Sequence, residues 1–309
     1  MWRYLVSRLA SAIVVVIGVS CLVFLLIHFV PGDPVEVMLG ESAQATDRDA
    51  LRKALGLDQP LGEQLLGFFG RIVQLDFGQS LYSRQDITAM LAERVPATVE
   101  LALAGLLVAI VVALPLGVAA ALYRGRAPDA GAMGFALLGI SIPHFWMGPL
   151  LILVFSLWLG WLPVSGREGV DSLVLPAITL GTALAAILSR MIRATLLEVL
   201  GEDYIRTARA KGLSERIVVL RHGMRNAMLP IITLIGLQLG TLLGGAVITE
   251  MVFSWPGLGQ LTIESIHRRD YPVVQVCVLL ISVTYVVINT LTDVVYAWLD
   301  PRIRLAGQG

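Results

Sequence analysis

The stretch LALAGLLVAIVVALPLGVAAALY, residues 101–123, contains no Asp, Glu, Lys or Arg. In a helix rising about 1.5 Å per residue it is long enough to cross the roughly 30 Å hydrocarbon core of a bilayer. A surface helix of a soluble domain keeps a polar face, and this one has none. The pattern recurs on both sides, at 9–29, 131–158, 173–188, 227–249 and from 273 past 292. Hydrocarbon offers no partner for backbone N–H and C=O groups, so such runs must be helical. The expectation is an all-α integral membrane protein with six transmembrane helices.

Composition agrees, with 56% hydrophobic and 15% charged residues and a mean hydropathy of +0.78. Soluble domains carry about 25% charge. The net charge is zero, so no global basic field points to nucleic acid. The two cysteines, Cys21 and Cys277, lie inside apolar runs and read as small hydrophobes rather than a disulfide or metal ligands. The first run resembles a signal peptide in its basic flank, Arg3 and Arg8, but it is longer than an h-region and His28-Phe29-Val30-Pro31 offers no small-residue cleavage site. It is expected to stay as the first span. The third run is too long for one straight span, since 131–166 is free of charge, and Pro143, Pro149 and Pro163 are expected to break it.

Lys and Arg in the connections set the orientation. With the amino terminus inside, the short connections carry fourteen basic residues inside against three outside. Both termini are therefore expected in the cytoplasm, with residues 31–96 outside. That outer segment combines PGDP (31–34), an amphipathic stretch at 47–55 and ten acidic residues, and reads either as a small cap of short helices or as a solvated loop.

Mid-span chemistry is sparse. Only His28, His144 and Asp293 stand out, and none forms the paired constellation an intramembrane hydrolase or a proton-coupled carrier needs. Nor does the chain carry a phosphate-binding loop: its two lysines, Lys53 and Lys211, are followed by Ala and Gly instead of Ser or Thr. The Gly-x-Gly of WPGLGQ (255–260) lacks the third glycine and reads as a turn. No cofactor is expected on this chain.

The most informative segment is EVLGEDYIRTARAKGLSERIVVLRHGMRNAMLP, residues 198–230. Glu202 and Asp203 favour the start of a helix, Arg209 and Lys211 its end, and Gly212 the left-handed residue beyond. Ser214 is placed to cap a second helix. Tyr204, Ile205, Ala208 and Gly212 recur at helical spacing, a narrow stripe suited to a partner's groove. A basic loop that merely sets topology or touches anionic lipid fits the same residues.

This segment resembles the cytoplasmic EAA loop of permease subunits of ABC importers. Arg206-Thr207-Ala208 stands in place of Glu-Ala-Ala and Gly212 matches the loop's glycine; the arginine and the longer distance to Leu229-Pro230 resemble the dipeptide, oligopeptide, glutathione and nickel branch. PGDP, LGLDQPL (55–61), DFGQS (76–80), LPVSG (162–166), FSWPGLG (253–259), RRDYPVVQ (268–275) and DPRIR (300–304) also resemble the first permease of that branch, in order along the chain.

The resemblance implies a type I importer permease in the bacterial inner membrane. It implies a first helix (1–30), an extracytoplasmic segment (31–96), a permease core (97–300) containing the coupling loop 198–226, and a cytoplasmic tail (301–309). It implies a second homologous permease subunit, two ABC ATPase subunits that hold ATP and Mg, and an extracytoplasmic substrate-binding protein, with a dipeptide as cargo, or else glutathione, or nickel chelate. Coupling to the ATPase would fall to Tyr204, Ile205, Arg206, Thr207, Ala208, Lys211 and Gly212. Gln238 and Thr241 would line the pathway, although the neighbouring Gly236, Gly240, Gly244 and Gly245 read as helix packing. Trp255, Arg268, Arg269 and Asp270 would meet the binding protein, Trp255 alternatively anchoring at the membrane interface.

Overall fold

A computed structural model of the chain describes residues 2–29, 35, 52–53 and 58–299. These are helical apart from turns and one isolated bridge, Gln79 with Asp86. The helices are α1 (Trp2–Phe29), α2 (Leu61–Val73), α3 (Ile87–Leu122), α4 (Ala127–Ser141), α5 (His144–Leu151), α6 (Val170–Leu200), α7 (Asp203–Ala210), α8 (Met224–Val252), α9 (Leu258–His267) and α10 (Tyr271–Leu299). A π-helical stretch, Ile152–Trp158, prolongs α5, and a short turn, Glu215–Ile217, followed by a π-helical one, Val218–Gly223, leads into α8. Most of the expected 47–55 stretch lies outside the described residues.

Four stretches are long and apolar enough to cross a membrane, namely Val6–Leu25, Ile87–Leu122, Val170–Leu200 and Tyr271–Val295. Ala127–Ser141 with Phe145–Trp158 makes a fifth, bent by 110°. The bend falls at Pro143, which precedes α5 with extended backbone, as expected of a residue that cannot continue a helix. Pro149, expected to break the run, lies inside α5, and the switch to π-helix follows three residues later. α8 is 29 residues long and has no ionisable side chain between Arg225 and Glu250.

Two helices outrun their apolar segments. α3 starts at Ile87, where the Asp86 side chain accepts the Thr88 N–H at 2.8 Å, and its 36 residues span about 54 Å. α6 continues through Leu200, well past the apolar run.

Inter-helix contacts fix the relative directions. Gly105 meets Leu180 and Gly117 meets Ile192, so α3 and α6 run parallel. Asp129 pairs with Arg193, and Gly139 lies against Thr182 and Ala186, so α4 opposes them. Thr98 meets Glu250, Gly236 meets Thr292 and Gly240 meets Tyr285, which sets α8 antiparallel to α3 and α10. Arg8 pairs with Asp293, and Gln275 Nε2 donates to the Val23 carbonyl at 2.9 Å, so α1 and α10 are antiparallel. The beginning of α1, the end of α10 and α7 therefore share one end of the bundle. That end is called inner below and the opposite one outer.

The main core joins Leu101, Ala109, Ala113 and Ala121 of α3 to Leu180, Leu184, Leu188 and Ile192 of α6, with Ala227, Ile231 and Leu242 of α8 and the indole of Trp255. Close approach makes it possible: a Cβ on Gly181 would lie 2.5 Å from the Gly105 carbonyl oxygen. Leu9, Ile13, Val14 and Leu22 of α1 are exposed, as apolar residues of a lipid-facing helix are.

Candidate functional site

At the inner end α7 forms a short projecting helix. Glu202 precedes it in extended conformation, Asp203 opens its first turn and Arg209 closes its last. The chain leaves through Gly212 at φ +77°. There the Gly212 N–H donates to the Arg209 carbonyl at 2.9 Å and the Leu213 N–H to the Ala208 carbonyl at 3.4 Å, the paired bonds of a Schellman turn. Leu213 packs beside Ala208, completing it.

The face carrying Ile205 and Ala208 does not await a partner. Ile205 has no exposed surface, and both side chains pack on Val218 ahead of α8, with Leu200 of α6 alongside. This corrects the sequence expectation for two of the four stripe residues: Ile205 and Ala208 are covered by Leu213 and Val218 of their own chain. Exposed instead are Tyr204, Arg206, Thr207, Lys211 and Gly212, with Ile217 and Leu220 close by in sequence. Ser214 has the backbone of a helix cap, but its side chain makes no cap hydrogen bond.

Two side-chain links steady α7. Arg209 donates to Glu215 through Nη2 at 2.6 Å and Nε at 3.1 Å, and Asn226 Nδ2 donates to the Tyr204 hydroxyl at 2.8 Å. The guanidinium holds the Glu215 carboxyl below its ordinary range, and Arg209 is pushed up in return. Leu200 joins the helix to α6, and Val218 joins it to the segment that leads into α8.

At the outer end, segments far apart in sequence interlock. The Trp255 indole has no exposed surface and donates from Nε1 to the Ala97 carbonyl at 2.8 Å. Glu250, also fully buried, accepts from Thr98 Oγ1 at 2.6 Å and from the Gln260 N–H at 2.9 Å, while Thr98 Oγ1 accepts the Leu258 N–H at 2.7 Å. Gly257 and Gly259 close around this carboxylate, and a Cβ on Gly257 would collide with its Oε1. Asp270 accepts from Ser80 Oγ at 2.5 Å and the Leu81 N–H at 3.1 Å. The Gly166 N–H donates to the Phe253 carbonyl at 3.0 Å. DFGQS, LPVSG, FSWPGLG and RRDYP are thus parts of one joint.

That joint corrects the expected docking set. Trp255 and Asp270 are buried and hold the chain to itself, the indole because its N–H finds a carbonyl inside the core and the carboxylate because a loop of N–H and O–H donors surrounds it. Arg268 and Arg269 are exposed, and the Arg268 guanidinium lies 4.6 Å from the centre of the Tyr82 ring. Of the pathway pair, Gln238 is half-buried and the Thr241 side chain lies outside the described residues. Gly236 and Gly240 pack on Thr292 and Tyr285, as their spacing suggested.

Sequence reasoning missed two charged anchors. Glu250 passed unnoticed at the end of an apolar run, and its partner Thr98 is 152 positions away. Asp129 receives Arg193 Nε at 2.6 Å and Nη2 at 2.8 Å and also accepts the Gly125 N–H, tying the α3–α4 turn to α6. Only the position of Asp129 in the first turn of a helix marked it beforehand.

The family described as "Binding-protein-dependent transport system inner membrane component" matches residues 113–305, and its amino-terminal counterpart, "Binding-prot-dependent transport system membrane comp, N-term", matches 1–102. The chain is 46% identical over 304 residues to the glutathione transport system permease protein GsiC of Escherichia coli strain K12, an alignment covering 98% of this chain and 99% of the relative. The same figures hold for GsiC of Shigella dysenteriae serotype 1 strain Sd197. Among solved structures, the MetNI methionine ABC transporter in an inward-facing conformation matches with a TM-score of 0.58 at 20% identity, over 69% of this chain and 97% of that one. An amino acid ABC transporter with histidines gives 0.52 at 15% identity, over 70% and 94%. At these identities the likeness to the solved structures is one of fold.

Proposed function

The chain belongs to the inner-membrane components of binding-protein-dependent transport systems, as a multi-pass permease of the ABC importers for peptides and glutathione, and from that premise we propose that it forms one half of a translocation pathway for glutathione or a peptide of similar size. The observation that carries this reading is the 46% identity to a glutathione permease along nearly the whole of both chains. A dipeptide cargo is the second reading, since the motifs of 198–230 are common to the dipeptide and glutathione members of the branch.

In this reading α8 and the bent α4–α5 pair complete six spans, with both termini in the cytoplasm and the 31–96 segment forming a cap outside. A second permease subunit faces this one, and two ATPase subunits holding ATP and Mg sit at the inner end. A binding protein delivers cargo outside, where Arg268 and Arg269 are its contacts. α7 is the coupling helix. Tyr204, Arg206, Thr207 and Lys211 meet the ATPase, while Ile205, Ala208 and Gly212 fix the helix's attitude. Gln238 and Thr241 line the pathway. Rigid-body rocking of the bundle moves cargo.

The test is reconstitution of the full assembly in vesicles with its binding protein. Glutathione should stimulate ATP hydrolysis and accumulate inside, with dipeptides doing less. Stimulation by dipeptides alone would select the second reading, and stimulation by neither would reject both. Impermeant thiol labelling of Ser83→Cys from outside and Ala210→Cys from inside checks orientation; the reverse pattern would overturn it.

A further inference from the structure

Helix α2 has three distinct sectors. At 100° per residue, Leu65, Phe68 and Ile72 fall together. This sector meets the outer part of α1, with the rings of Phe68 and Phe24 5.7 Å apart and Val19 and Val23 in the same cluster. Gln64, Arg71 and Glu63 occupy a polar sector. Between the two lie Leu66 and Val73, 73% and 82% exposed, and Leu75 just beyond the helix is 68% exposed. An apolar flank this open on a soluble surface would be costly.

Its depth says what covers it. Phe24 belongs to the last turn of the apolar stretch Val6–Leu25. The Gln275 bond to the carbonyl of Val23 sets that level against the first turns of α10. α2 is therefore held where the hydrocarbon of the spanning helices ends, not above it. A helix placed there, with one flank apolar and the opposite face polar, has the pattern of a segment lying in the plane of the interface.

We propose that α2 is an interfacial helix lying in the outer headgroup layer, with Leu66, Val73 and Leu75 inserted among acyl chains and Glu63 and Arg71 turned to water and phosphate. The partner is the lipid surface itself. The helix then braces α1, whose other long neighbour is α10, against tilting. The outward side comes from the proposed topology, but the depth does not depend on it.

Nitroxide labels on Glu63→Cys, Leu66→Cys and Val73→Cys in the full assembly, in lipid nanodiscs, test this. Positions 66 and 73 should collide several-fold more with oxygen, relative to a water-soluble nickel chelate, than position 63 does. Labels at 66 and 73 as accessible to nickel as that at 63 would overturn the proposal. So would labels shielded from both reagents and released only when the binding protein is removed, since that flank would then be a protein contact. Thiol accessibility in oriented vesicles reports the side separately.

Discussion

At the outer end Glu250 has no exposed surface, and each of its carboxylate oxygens accepts a hydrogen bond, from Thr98 and from the Gln260 backbone. At the inner end Glu215 is 56% exposed and its bonds run to Arg209, itself 41% exposed. Both regions join segments at the turn between helices, and both carry the stretches whose resemblance to the family stood out in the sequence. The outer one satisfies its polar groups internally, which makes it a structural joint. The inner one leaves Tyr204, Arg206, Thr207 and Lys211 uncovered, which suits a surface that another protein completes. Motif density alone does not separate the two cases; burial does.

The largest effect expected from this contrast is at Trp255. Trp255→Ala removes a fully buried indole and its hydrogen bond to the Ala97 carbonyl, a change worth about 3–5 kcal/mol in a protein core. The variant should lose the assembled complex in size-exclusion chromatography after mild heating. Trp255→Phe, which keeps most of the packing, should fall between. Normal thermal behaviour with uptake alone abolished would restore Trp255 as a docking residue and break the comparison.

Two glycines sharpen it further. A Cβ on Gly259 would lie 2.5 Å from the Val247 backbone, whereas one on Gly212 meets nothing within 4 Å. Gly259→Ala is overpacking against atoms that cannot step aside, with an expected cost of about 1–3 kcal/mol. Gly212 stands at φ +77°, so a substitution there costs conformational energy only, about 1–2 kcal/mol. Gly259→Ala should lower the temperature at which the complex aggregates. Gly212→Val should leave assembly intact but reduce cargo-stimulated ATP hydrolysis and uptake, because α7 can no longer leave through its Schellman turn. Equal loss of assembly in both would mean that the inner turn is as structural as the outer joint.

These positions also show what the amino-acid sequence could reveal. Four spans were legible because hydrocarbon demands unbroken apolar runs, and the Gly212 turn because only a residue without Cβ sits easily at positive φ. The ends of α3 and α6 were not, since helix outside the membrane needs no apolar run. Trp255 was expected at a binding-protein contact or at the membrane interface because its loop resembles one outside the membrane, while its partner Ala97 is 158 positions away. Ile205 and Ala208 looked like a partner's target because helical spacing reveals a face without saying what covers it, and here Val218 does.

The smallest expected effect is at the Arg209–Glu215 pair. An exposed ion pair contributes about 0–1 kcal/mol, because water already solvates both groups and salt screens them. The Glu215 carboxyl is held below its ordinary range by Arg209, so the folded state favours the ionised form. Its contribution is complete above the unfolded-state pKa and is lost as pH falls through the lower folded-state value. At neutral pH, Glu215→Gln should therefore change thermal stability only slightly. The difference from the parent should shrink further in acid, below the ordinary carboxylate range, and in high salt. Arg209→Glu should slow uptake less than Gly212→Val does, since the Schellman bonds and the Ile205–Val218 contact still position α7. If Arg209→Glu abolishes uptake while Gly212→Val leaves it unchanged, charge and not shape sets the coupling contact, and the exposed face of α7 must be read as an electrostatic surface.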